Sequence, residues 1–168
     1  MRRIGLLCVA CTALALTSGV SASAPRANAP TDIIPKVTEA DLEQIARDHG
    51  DTIDEVHLFE NPSVRAKSKE GLLYVLIGTA CDEAKPIKCE GIMMQVRYTA
   101  DETVTAESIL DANMHQAALA SWWDKDDKTV GFTRYVVLDH GVTRQNIQAN
   151  IDVLLALAPA AMKYAFPG

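Results

Sequence analysis

Hydrophobic positions recur along the chain in two periods, and the switches between them lay out its elements. Thr38 offers an N-cap, Glu39 and Asp41 follow in the first turn, and Leu42, Ile45, Ala46 and His49 recur at helical spacing before Gly50. A first helix is predicted there. The period then falls to two. Ile53–Glu60 reads as a strand broken by Asn61-Pro62, and Ser63–Ser68 alternates small or apolar residues with basic ones, as an edge strand guarded by lysine does. Lys69-Glu70-Gly71 turns the chain into Leu72–Ile77, which is apolar on both faces and therefore central. In its return strand Ile92, Met94, Val96 and Tyr98 alternate with Met93, Gln95 and Arg97, so that one face is buried.

Helical spacing returns after Thr105, a second N-cap, with Ile109, Leu110, Met114 and Ala117 predicted to form the buried side. Ala118–Trp123 and Thr129–Leu138 flank the charged run Asp124–Lys128 and read as a second hairpin, ended by Asp139-His140-Gly141. Thr143 caps a last helix carrying Ile147, Ile151, Leu154, Leu155 and Ala158; Pro159 either kinks it or starts a short appendage. The order is α-β-β-β-β-α-β-β-α. Hairpins dominate, which predicts an α+β fold with a mostly antiparallel sheet and helices mainly on one face.

The first residues have a different pattern. Arg2 and Arg3 precede an apolar run over Ile4–Thr17 and then small residues, the plan of a signal peptide over 1–24 cleaved after Ala22 or Ala24. The apolar run is shorter than the ~20 residues needed to span a bilayer. Pro25, Pro30 and Pro35 mark a flexible leader over 25–36, which leaves one domain over 37–168. The expected location is the periplasm or the exterior. Cys8 and Cys11 leave with the signal, so Cys81 and Cys89 remain in an oxidising space, where a structural disulfide is expected. The rival, a redox-active pair, sits badly with seven intervening residues, unlike the C-x-x-C spacing that lowers a thiol pKa. Without Arg2 and Arg3 the 16 basic residues become 14 against 22 acidic ones, a formal charge of −8. Such a surface disfavours nucleic acid, and nothing after the signal is apolar and long enough for stable membrane insertion.

Candidate chemistry is sparse. His49, His57, His115 and His140 are scattered singly, without metal-ligand spacing, and no metal or cofactor is expected. Asp124-x-Asp126-Asp127 lacks the glycine and the final glutamate of a calcium loop. No serine sits in a nucleophile elbow and no glycine-rich phosphate loop is present, so no catalytic residue is assigned. Trp122-Trp123 stands out. Adjacent strand residues face opposite sides, so one tryptophan enters the core and the other is free to anchor a protein partner or a second copy of the chain.

Val64-Arg65-Ala66-Lys67, Leu73–Gly78, Cys81, Cys89 and Met94-Gln95-Val96 together resemble the YbjN-domain family, in its exported two-cysteine branch. Trp123–Asp127, Gly141–Ile147 and Asn150-Ile151-Asp152 fit that family's closing hairpin and final helix. Ala112-Asn113-Met114-His115 stands where the family has Trp-Asn, and the stapled hairpin is poorer in aromatics. The resemblance implies a fold similar to type III secretion chaperones and a regulatory or chaperone-like role without established catalytic residues. The function expected is therefore non-enzymatic, through contacts with an unidentified protein. The alternative is a small-ligand or cell-envelope-binding module with a pocket between sheet and helix.

Overall fold

A computed structural model describes residues 32–168. The expected signal peptide and the first part of the leader lie outside the described residues. In chain order the elements are β1 (Ile33–Ile34), α1 (Glu39–His49), β2 (Thr52–Val56), β3 (Ser63–Lys67), β4 (Leu73–Cys81), β5 (Cys89–Thr99), α2 (Ala106–His115), β6 (Ala120–Asp124), β7 (Thr129–Val137), β8 (Val142–Thr143) and α3 (Arg144–Ala165).

Local chemistry sets the boundaries. Thr38 and Asp41 form a reciprocal capping box at the start of α1, and Gly50 closes it in the left-handed conformation at φ 92°. Thr105 and Thr143 cap the other two helices. Six strands form one antiparallel sheet in the order β2-β3-β4-β5-β7-β6, while β1 and β8 make a separate two-stranded pair. The helices cover one face. Val64, Leu76, Met94, Val96 and Phe132 point toward them and are buried with Leu42, Ile45, Ile147, Ile151 and Leu154. Cys81 and Cys89 pair directly across β4 and β5 and are disulfide-bonded.

Several expectations are corrected. The strand predicted over Ile53–Glu60 ends at Val56, because His57 takes a left-handed φ of 65° and the chain folds back. Ser63–Ser68 is not an edge: β3 lies between β2 and β4, and β2, bulged near Asp54, is the edge strand. Of the side of α2 predicted to be buried, Ile109 packs against the core, but Leu110 and Met114 face outward, 59% and 74% exposed. Ser108 and Ala112 are buried instead, since α2 approaches α3 closely enough for Ser108 Oγ to donate to Ala165 O at 2.9 Å. Pro159 starts no appendage; α3 runs through it to Ala165. The leader also ends earlier than expected. Ile33 and Ile34 pair with Thr143 and Val142, Arg144 Nε reaches Asp32 at 2.8 Å, and Val37 bridges Cys89.

At the far edge of the sheet, Asn113 of α2 lies against β6. Its Nδ2 donates to Ser121 O at 3.0 Å and its Oδ1 accepts from Ser121 N at 2.8 Å.

Candidate interaction surface

The alternation that buries one face of the strands presents the other. Val75, Ile77, Met93, Gln95, Thr133 and Tyr135 point away from the helices. The connection between β2 and β3 folds over part of this face. His57 N donates to Ser63 O and Phe59 N to Ser63 Oγ, at 2.9 and 3.0 Å, which places Leu58–Asn61 beside Ile77. Ile77 and Val75 are buried there, while Tyr135 and Val137 remain 50% and 61% exposed.

Between these zones the polar groups form a connected chain. Arg97 donates from Nε and Nη2 to Gln95 Oε1 at 2.8 and 2.6 Å. Gln95 Nε2 donates to Thr133 Oγ1 at 3.0 Å, and the same oxygen accepts from Trp122 Nε1 at 2.8 Å. The Arg97 guanidinium lies over the Phe59 ring at 5.1 Å and over the Trp122 ring at 5.7 Å. Trp122 rests flat against Gly131, where a Cβ would enter its ring. Glycine is required by that approach. Partial burial lowers the Arg97 pKa below its ordinary value, and the charge of Asp127 works against that.

The two tryptophans diverge as their alternation requires. Trp123 packs against the helix-side core, with Lys125 Nζ 4.8 Å from its ring centroid, and Trp122 lies on the open face. Phe59, Gln95, Arg97 and Thr133 were not singled out by the sequence. The alternation in β5 had marked Gln95 and Arg97 as outward, but only the three-dimensional pairing brings Phe59 and Trp122 to them.

A second cluster lies on the helical side. Asp51 follows the cap of α1, its side chain only 1% exposed, and accepts from Tyr74 Oη at 2.6 Å. His49 Nδ1 lies 2.7 Å from Asp51 Oδ2, and its Nε2 lies 2.9 Å from Asp152 Oδ1 on α3. With a carboxylate on each ring nitrogen, both nitrogens must donate, which makes the ring an imidazolium. Burial works against that charge, but the bonds from Asp152 and Asp51 outweigh it and raise the His49 pKa. Burial and the Asp51 bond push the Tyr74 pKa up as well. These groups border a cleft of about 580 Å³ together with Ser68, Leu72, Leu155 and Pro159. The arrangement ties α1 to α3 and leaves His49 no free nitrogen for proton abstraction. His57, His115 and His140 lie elsewhere, beside Glu39, Asp111 and Asp139 respectively.

An antiparallel sheet roofed by three helices on one side and only partly covered, by the β2–β3 connection, on the other, with an aromatic–guanidinium group on that second side, defines an α+β protein that presents a sheet face. The chain belongs to the YbjN family, whose model, described as "Putative bacterial sensory transduction regulator", matches residues 38–161. Among solved structures, "YbjN, a putative transcription regulator from E. coli" superposes with a TM-score of 0.52 at 12% identity, covering 77% of this chain and 96% of that one. The complex of ExsC with ExsE gives 0.48 at 14% identity, over 70% and 88% of the two chains. The Yersinia pestis type III secretion chaperone SycH, in complex with a fragment of YscM2, gives 0.46 at 15%, over 73% and 95%. The likeness to the E. coli protein concerns the fold alone. No curated protein matches the chain.

Proposed function

We propose that this is a non-enzymatic, exported YbjN-family protein that acts in the periplasm or outside the cell through protein–protein contacts, in a regulatory or chaperone-like role. The open sheet face is the contact surface. The observation that carries the reading is the Phe59–Arg97–Trp122 group on the same face as exposed Tyr135: rigid aromatics held next to a cation are the side chains that dominate protein interfaces. The description of the family as a regulator supports the same reading.

Two experiments test it. Full-length chain expressed in a bacterium should be recovered from the periplasmic fraction with Ser23 or Pro25 as its first residue; an unprocessed cytoplasmic product would refute export. Co-purification should then compare wild type with Trp122→Ala and, as a control on the helical side, Met114→Ala. A partner lost only with Trp122→Ala supports the open face, and one retained in both variants removes it.

The cleft beside His49 favours a second reading, a small-ligand or cell-envelope-binding module. A thermal-shift screen against glycans, lipids and metal ions separates the two. A stabilising hit abolished by His49→Ala would favour the cleft.

A further inference from the structure

We infer that the open face selects a peptide segment in which one carboxylate is flanked by apolar side chains, with Arg97 as the carboxylate receptor between Phe59 and Trp122. This rests on the open face being the contact surface and adds the chemistry of what it holds.

The first reason is the electrostatic state of Arg97. Arg47 pairs with Glu43, Arg65 with Asp54 and Glu55, and Arg144 with Asp32 and Asp48. Arg134 is spent on neutral oxygens, those of Asn150 and the Ala118 carbonyl. Among the described residues no carboxylate lies within ion-pair distance of Arg97, although the chain carries 22 acidic residues against 16 basic ones. Its own hydrogen bonds run from Nε and Nη2 to a single neutral oxygen, Gln95 Oε1, which leaves Nη1 for an outside acceptor.

The second reason is that the guanidinium is already oriented. Gln95 is held by Thr133, Thr133 receives the Trp122 indole, and two rings flank the cation. A planar donor fixed before binding loses little freedom when a carboxylate arrives, and partial desolvation strengthens the new ion pair.

The third reason concerns what surrounds it. Asp124 ends β6 and Asp127 stands in the turn that follows, and the charge of Asp127 is felt at Arg97. A single unpaired guanidinium beside Asp127, on a chain with more acidic than basic residues, accepts one negative charge and repels a polyanion, which argues against nucleic acid. The Phe59 and Trp122 rings stand on either side of the cation, suiting apolar side chains next to the acid.

The test uses two probes, N-acetyl-Leu-Glu-Leu-amide and N-acetyl-Leu-Gln-Leu-amide, titrated into the protein while the Trp122 Nε1–H and Arg97 Nε–H resonances are followed by NMR. The glutamate peptide should bind roughly tenfold more tightly at low salt, the ratio expected of one charge-assisted contact. Arg97→Gln should level the two peptides. If that variant loses its amide dispersion, Arg97→Lys, which keeps the charge and loses the planar fork, should still reduce the discrimination several-fold. Equal affinity of the two peptides for the wild type, with the indole still shifting, would overturn the carboxylate receptor and leave the open face as a contact surface. No shift from either peptide would overturn both. An oligothymidylate that moves these resonances where the peptides do not would overturn the inference in favour of nucleic acid.

Discussion

The two faces of the sheet are made by the same strands and hold together by different means. Toward the helices, Leu76, Met94, Val96 and Phe132 are fully buried, and stability comes from apolar area withdrawn from water. Away from them, one position along from each of these, Val75, Gln95, Arg97 and Thr133 join hydrogen bonds, ring faces and a charge, partly in contact with solvent. The first face has no alternative partners. The second is built of groups whose bonds can be exchanged for equivalent bonds to another molecule at small cost. Adjacent residues on one strand therefore divide the work of folding from the work of contact.

That division can be broken most severely from inside. Phe132→Ala should destabilise the fold by about 3–5 kcal/mol in urea denaturation, since it empties a close-packed site under Tyr98 and the helices. Trp122→Ala, on the open face, should cost only about 1–2 kcal/mol, the worth of one hydrogen bond and one cation–π contact. Equal losses in the two variants would erase the contrast. The Cys81–Cys89 bond pins the end of β4 and β5, shared by both faces. Replacing both cysteines by Ala should lower stability by about 2–3 kcal/mol while leaving the Trp122 indole resonance in place.

His49 gives a pH-dependent test of the helical side. Its pKa is raised in the folded state, so the protonated form supports the fold. That support is complete below the unfolded value of about 6.5 and is lost as pH rises through the folded value. The urea midpoint should therefore fall as pH climbs above neutrality. His49→Ala should flatten this dependence and cost about 1–3 kcal/mol, because Asp51 stays buried without its cation. An unchanged pH profile in that variant would remove His49 as the cause. The smallest effect is expected at Met114, where Met114→Lys should change stability by less than about 0.5 kcal/mol, although sequence periodicity places that residue in the core.

Met114 also shows where the sequence stops being legible. Helices α1 and α3 were readable because their caps and large apolar residues agree with the face they bury. In α2 Leu110 and Met114 turn outward while Ser108 and Ala112 are buried against α3 and Ile109 packs at the edge of the core; which face a helix buries is decided by its neighbour's distance, which no periodicity records. The hairpins and the opposed tryptophans could be read from alternation, and the cysteine pairing from two thiols at the facing ends of one hairpin. The edge assignment of Ser63–Ser68 failed because strand order depends on long-range pairing, and two-residue β1 and β8 are too short to leave a pattern. The candidate surface was half visible: Trp122 stood out by its type, whereas the importance of Arg97 lies in a partner it lacks. Likewise His49 and Asp152 are 103 residues apart in sequence, and only the packing of α1 on α3 makes them neighbours.

The amide of Asn113 has a consequence for the protein's behaviour at high concentration. By filling both backbone positions of Ser121 it occupies the slot that an incoming strand would take, much as a stopper closes a rail. The opposite edge is interrupted by a bulge and carries Asp54 and Glu55. Both edges of the sheet are thus less open to strand-by-strand growth, while aromatic side chains stand on its face.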